Sequence, residues 1–301
     1  MFIVKKAVDR PFSAVISFPP PSTIKHDAAR YTIRNIFPTM KLYEIIDFLD
    51  SELHPEYQED YDNAGFLLGD PAVECTGALV ALDLTPAVID EAVTQGANLI
   101  VTHHPFIFGG IKHITTTDTT GRMIFSLVRN GIAVYAAHTN LDNLKEGING
   151  ILADRLGLTD CHILRPKPSA LPEEIGAGMI GTLPFAMPAE AFLEQVKVSL
   201  GLPLLRISDV ASPVVNRVAI CGGSGSFLIE DAISQQADVY LTGDLKYHDF
   251  QHAEGRITLA DIGHYESEQF GKLLIYSVIS KKFSNFACFI SRQGKSFVSY
   301  M

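Results

Sequence analysis

No apolar run in this 301-residue chain approaches the roughly 18 to 20 residues needed to span a bilayer. No continuous apolar stretch precedes a small-residue cleavage site near the N-terminus, so a secretory signal is not expected. Cysteine is scarce: Cys75, Cys161, Cys221 and Cys288 lie far apart and none belongs to a C-x-x-C pair. That argues against a disulfide framework or a thiolate zinc knuckle and fits a reducing cytosol, with all four read as small buried hydrophobes. Positive charge is also short. Lys and Arg number 24 against 34 Asp and Glu, a formal net charge of −10. The deficit argues against broad binding to nucleic acid or to an anionic membrane surface. It leaves a small phosphorylated ligand open, because bound metal ions can reverse a local field.

What remains is the balance of a soluble globular protein, 47% hydrophobic and 19% charged. The length suffices for two modest lobes sharing a core. The first 39 residues differ from the rest: six Lys/Arg and two Asp/Glu give them +4, against −14 for the remainder. Their basic, acid-poor bias is that of an organellar transit peptide, but an extension ahead of a start at Met40, poorly ordered, is the simpler reading.

From Met40 onward helix and strand signals alternate, which argues an α/β fold. Leu42, Ile45, Ile46 and Leu49 repeat at helical spacing within 41–53. Strands are expected over 65–69, 78–82, 98–102, 132–137, 217–221, 238–242, 257–261 and 286–291. Thr85 and Pro86 open a helix ending near Gly96, and Gly131 closes another over 122–129. Further helices are expected over 147–156 and 189–200, and from His264 to about Lys281. The proline-rich stretch 162–174 is the candidate lobe boundary. Lobe one then comprises about 40–165 plus the segment from about 257, and lobe two about 166–256.

Polar residues gather just after the buried strands. His103 and His104 follow one, Asp142 lies in the loop after another, and His264 follows a third. In open α/β sheets ligands collect at the carboxyl ends of strands, so these loops can converge. Adjacent histidines after a strand point in different directions, and His264 and Glu268 share one helix face. Each group has a blander reading: His103-His104-Pro105 as a polar turn, Asp142 as a cap, Glu268 as a carboxylate near a helix N-terminus. Taken together they suit a pair of divalent ions, Zn, Fe or Mn, with positions left open for water.

The segments Asp62-Asn63-Ala64-Gly65, Val101-Thr102-His103-His104-Pro105, His138-Thr139-Asn140-Leu141-Asp142, Cys221-Gly222-Gly223-Ser224-Gly225, Thr242-Gly243-Asp244 and Gly263-His264-Tyr265-Glu266-Ser267-Glu268 resemble, in order, the signature blocks of the Nif-three-like family, the GTP cyclohydrolase 1 type 2 homologues. The resemblance covers Met40 to the C-terminus, in the short form without an inserted domain. It implies two interlocked α/β lobes with mixed sheets. It also implies a dinuclear metal centre held by His103, His104, Asp142, His264 and Glu268, a homohexameric ring, and GTP as the named substrate.

Other residues are weaker candidates. His138, Asn140, Asp244 and His248 are expected to line the cavity, with His248 the candidate catalytic acid/base or else a helix-surface histidine. The Gly222–Gly225 turn could cradle a phosphate or simply be tight. Asp62 and Asn63 could support the site or cap a turn. The expected function is a cytoplasmic metal-dependent hydrolase acting on a nucleotide or phosphorylated small molecule. The alternative is a non-enzymatic metal-handling, chaperone-like or scaffold protein.

Overall fold

The first helix shows how the sequence pattern becomes packing. Leu42, Ile45, Ile46, Leu49 and Leu53 of α1 (Leu42–Leu53) are all buried, and Glu44 accepts a hydrogen bond from the Lys41 amide to close its first turn. Helix α2 (Pro86–Gln95) is capped by Thr85, whose Oγ1 accepts from the Val88 amide, and ends at Gly96 in the left-handed region. Helix α3 (Thr119–Asn130) is capped by Asp118 and closed by Gly131 in the same way. These stops are physical: glycine alone adopts positive φ without a Cβ penalty.

The computed structural model describes residues 40–168 and 174–301. Residues 1–39, expected to be an extension, lie outside them. All described residues belong to a single unit. No helix among them is long and apolar enough to cross a membrane. Their cysteines are free; Cys75 and Cys221 are buried, whereas Cys161 and Cys288 are only half-buried.

The strands are β1 (Met40–Lys41), β2 (Gly65–Leu68), β3 (Glu74–Cys75), β4 (Ala78–Ala81), β5 (Leu99–Thr102), β6 (Ala133–Ala136), β7 (Thr159–Pro166), β8 (Gly176–Pro188), β9 (Arg206–Ile207), β10 (Val214–Ser224), β11 (Val239–Gly243), β12 (Thr258–Asp261) and β13 (Cys288–Ile290). The remaining helices are α4 (Thr139–Asn143), α5 (Ile148–Leu156), α6 (Ala189–Leu200), α7 (Ile229–Ser234), α8 (Tyr247–Ala253), α9 (His264–Glu268) and α10 (Gly271–Lys282). A five-stranded sheet runs β13-β4-β5-β6-β2, and a six-stranded one runs β7-β8-β10-β11-β12-β9. Both are mixed. In the first, β13, β4, β5 and β6 are parallel and β2 is antiparallel to β6. In the second, β10, β11 and β12 are parallel and the outer pairings are antiparallel. The α/β class with mixed sheets is as expected.

Several local expectations change. The start of the proline-rich stretch lies in a strand: 159–166 forms β7, which pairs along β8, a strand the sequence pattern did not single out. Strand β12 pairs with β11 in the six-stranded sheet, so 258–261 does not belong with the first sheet. The C-terminal helix is broken into α9 and α10 at Gln269 and Phe270. Gly222 to Ser224 is no turn, because β10 continues through it.

The chain after β6 is fixed by a buried amide. Asn140 is fully buried rather than cavity-lining. Its Nδ2 donates to the Leu53 carbonyl at 2.7 Å, and its Oδ1 accepts from the His138 amide at 2.8 Å. It thereby ties the end of α1 to the start of α4, which carries Asp142. Replacing Asn140 by alanine strands a buried carbonyl and a buried amide. Chemical denaturation of Asn140→Ala should show a loss of about 2 to 3 kcal/mol.

Candidate metal centre

Loops from both sheets meet at one carboxylate. His103 and His104 follow β5, Asp142 sits on α4 after β6, and His264 and Glu268 lie on α9 after β12. Asp142 is therefore on a short helix, not the open loop expected. Glu268 is almost fully buried. Its Oε2 lies 2.9 Å from His104 Nε2 and 3.0 Å from His264 Nε2. Its Oε1 lies 3.7 Å from His103 Nε2, which is in turn 3.6 Å from Asp142 Oδ1. The ligand atoms of His104, His264 and Glu268 form one group able to hold a metal ion, and those of His103, Asp142 and Glu268 another. All five residues expected at the site come together.

The imidazoles are oriented from behind. His103 Nδ1 pairs with the Ala137 carbonyl, His104 Nδ1 with Asp83, and His264 Nδ1 with Asp244, each at 2.7 Å. Anchoring Nδ1 as a donor leaves Nε2 as the free ring nitrogen, as metal-binding histidines require. Asp83 escaped the sequence reading, although it stands just beyond β4 as His103 stands just beyond β5. Asp244 takes φ +57°, a conformation that Asp tolerates better than most residues. His138 belongs here too. Its Nδ1 is 2.7 Å from Asp62 Oδ1, and it forms a third candidate group with His103 and His104. His248 does not: it is exposed on α8 and pairs with Gln251 at 3.1 Å.

The chemistry of the donor set asks for a cation. His103 Nε2 and Asp142 Oδ1 are buried and lack any hydrogen-bond partner, although they face each other. Such orphaned atoms are rare and costly unless something else satisfies them. Burial opposes charging His104, but Asp83 and Glu268 outweigh it and push its pKa up to about 10. Burial likewise opposes His264, yet Glu268 and Asp244 raise it to about 9. Burial and then the Glu268 charge push Asp142 up to about 7 against the pull of His103. Burial also opposes ionising Glu268, but the surrounding imidazoles hold it well below the usual carboxylate range. A metal ion bound there would compete with protons for the imidazole Nε2 atoms.

The glycines around Glu268 make its position possible. Gly223 has φ +63°, and a Cβ there would overlap Glu268 Oε1. The amides of Gly222 and Gly223 are already used, donating to Asn149 Oδ1 at 2.9 Å and Ser267 Oγ at 3.0 Å. This corrects the phosphate-cradle reading: both amides hold structure, and the following α7 is too short to offer a helix terminus of consequence. A cavity of about 500 Å³ opens over His138, Asp142 and Glu268. A second, of about 420 Å³, opens on the side of Asp83, Asp244 and His264.

Asp62 supports the cluster from beneath. Its side chain is fully buried, and it accepts from the Asn63 amide, the Thr139 amide and the Thr139 hydroxyl as well as from His138. Asn63 Nδ2 in turn donates to the Ile107 carbonyl at 2.6 Å, bracing the loop after His104. Burial would raise the pKa of Asp62, but His138 and Thr139 more than compensate and lower it to about 2. A depressed carboxylate stabilises the fold above its unfolded value near 3.8, and that stability is lost as pH falls towards 2. Asp62→Asn should therefore cost about 2 kcal/mol at neutral pH. The difference from wild type should shrink between pH 4 and 2, read by urea denaturation across that range.

Comparison with known proteins identifies the family and the fold. The pattern of the Duf34/NIF3 (NGG1p interacting factor 3) family matches residues 40–295. A GTP cyclohydrolase 1 type 2 homolog of Clostridium perfringens is 38% identical over 230 residues, covering 76% of this chain and 87% of that protein. The fold superposes on the crystal structure of the Staphylococcus aureus hypothetical protein SA1388 with a TM-score of 0.80 and 29% identity, covering 88% of this chain and 100% of that one. A Bacillus cereus protein related to NIF3 gives a TM-score of 0.79 at 25% identity, covering 88% of this chain and 100% of that one. With the family pattern spanning nearly every described residue, this chain belongs to the Duf34/NIF3 family.

Proposed function

We propose that the chain is a metal-dependent hydrolase whose two divalent ions would be held by His103, His104, Asp142, His264 and Glu268. The observation that carries this reading is the division of labour at Glu268. One oxygen faces His104 and His264, the other faces His103, and His103 faces Asp142. Five residues cannot saturate two ions, which is the arrangement of a catalytic rather than a closed structural site. Such a pair supplies an acidified water and a polarised scissile bond. Zn, Fe and Mn all suit imidazole and carboxylate donors.

The chain's own residues do the rest. Asp83, Asp244 and the Ala137 carbonyl hold three imidazoles in the donor-ready tautomer. His138, braced by Asp62 and lining the cavity, replaces His248 as the candidate group for proton transfer. The names of the relatives point to ring-opening hydrolysis, and a cyclic amide or amidine bond suits the same chemistry. The proposed working form is a cytoplasmic homohexamer.

Elemental analysis of gently purified full-length protein is the direct check. Wild type should carry close to two ions per chain. His104→Ala and Glu268→Ala should each lose at least one. Gly223→Ala should lose metal as well, because its methyl would push Glu268 Oε1 out of place while every donor residue is kept. Absence of bound metal in wild type, with none gained from added Zn, Mn or Fe, would refute the proposal.

A further inference from the structure

The connection between β5 and α3 runs from His103 to Asp118, longer than the roughly 12 to 15 residues that structureless loops of compact folds usually reach. Both of its ends are fixed. At the first, Asn63 Nδ2 donates to the Ile107 carbonyl at 2.6 Å. The Phe108 ring centroid lies 6.2 Å from that of Tyr61 and 5.9 Å from that of His138. At the second, Arg122 Nη1 donates to the Thr116 and Thr117 carbonyls. A Cβ on Gly121 of α3 would overlap the Thr115 carbonyl there. Between these anchors the loop is loose. Among the described residues no hydrogen bond or ion pair reaches 109–114, and every residue of that stretch is exposed.

Two features of this stretch have no use in the conformation it adopts. Gly109 and Gly110 do not have positive φ, and a Cβ on either would meet nothing within 4 Å. Alanine would fit both positions as they stand and would hold the chain at lower entropic cost. A glycine pair that the geometry does not require leaves the backbone free to take another one. The second feature is apolar. Ile111 and Ile114 are 39% and 51% exposed, and Tyr61 and Phe227, which line the 500 Å³ cavity, are 63% and 52% exposed. Apolar groups thus stand in water on both sides of one opening, and bringing them together removes both surfaces from water. Three extended residues beyond Phe108 reach roughly 10 Å. A cavity of about 500 Å³ is of similar breadth.

We propose that residues 108–114 are a lid, hinged at Gly109-Gly110, that folds over the cavity mouth and seats Ile111 against Phe227. The structure shows the lid open. Phe108 and the Asn63 brace are its fixed root, and Ile111 and Ile114 are its moving part. Closed, it separates the cavity from bulk water, as loops that shut over an occupied site do. The lid depends on the loop and the mouth, not on what the floor of the cavity holds.

Disulfide trapping in the full-length, chelated protein tests this, because it captures a closed form even where that form is the minor one. Ile111→Cys is combined with Phe227→Cys and, as the control, with Val128→Cys, 63% exposed on α3. Peptide mass spectrometry distinguishes each new bond from the native cysteines. Under mild oxidation the Phe227 pair should form at least tenfold faster than the Val128 pair. Adding Gly109→Pro and Gly110→Pro should slow it at least tenfold, and Gly109→Ala with Gly110→Ala at least threefold. The locked lid should slow carbethoxylation of His138 by diethylpyrocarbonate at least fivefold, and reduction should restore it. His248, exposed on α8, should react alike in both forms. The lid is overturned if the Val128 pair forms as fast, if the glycine replacements leave the rate unaltered, or if His138 reacts equally in the locked protein. None of these measurements needs a metal ion. A chain that takes up no metal yet traps the closed loop would refute the hydrolase reading and uphold the lid. A chain with two ions that fails to trap it would do the reverse.

Discussion

Everything at the centre of this molecule is arranged around one buried anion. Glu268 is 2% exposed, and an isolated carboxylate in that position would simply take up a proton. It stays ionised because three imidazoles face it, and those imidazoles hold their orientation because each has a fixed acceptor at Nδ1. Remove the anion and the imidazoles lose their common partner. Remove the acceptors and the rings are free to turn. The site is therefore a unit, and its energetics cannot be divided residue by residue.

The backbone is shaped to the same constraint. Gly223 is the position where β10 passes too close to Glu268 for any side chain. Ser267, next to Glu268, accepts from the Gly223 amide at 3.0 Å, so the strand and α9 are locked in register. Donors arrive from β5 and β6 of one sheet and from β12 of the other. A ligand that holds these donors together binds the folded chain far better than the unfolded one. Metal occupancy and stability should accordingly be linked by mass action.

Much of this could be read from sequence, for identifiable reasons. His103, His104 and His264 each follow a short buried strand, and strands of β-branched and small apolar residues are easy to locate. The four-residue spacing of His264 and Glu268 places them on one helix face once α9 is granted. What escaped depended on tertiary contact. Asp83 is a single carboxylate after a strand, with nothing local to show that His104 lies 2.7 Å away. Strand β8 has no clean alternation, since its pairing with β7 and β10 buries its first half and exposes its second. Gly222 to Gly225 looked like a turn because glycine runs usually mark one; here they make room for a side chain some 40 residues on. His248 matched a pattern of strand followed by polar loop, but α8 carries it to the surface.

Charge completes the argument. The chain is acidic overall, and among the described residues no lysine or arginine lines the cavity over Asp142 and Glu268, whereas His104, His138 and His264 do. Positive potential there comes from the imidazoles of His104 and His264, whose pKa values Glu268 and their own carboxylate anchors raise, or from a cation that would take the place of their protons. An ion held there would satisfy the orphaned Nε2 of His103 and Oδ1 of Asp142. A cluster whose charge balance is held by imidazoles and carboxylates in contact exchanges protons for a cation without moving its donors, which ties occupancy of the site to pH.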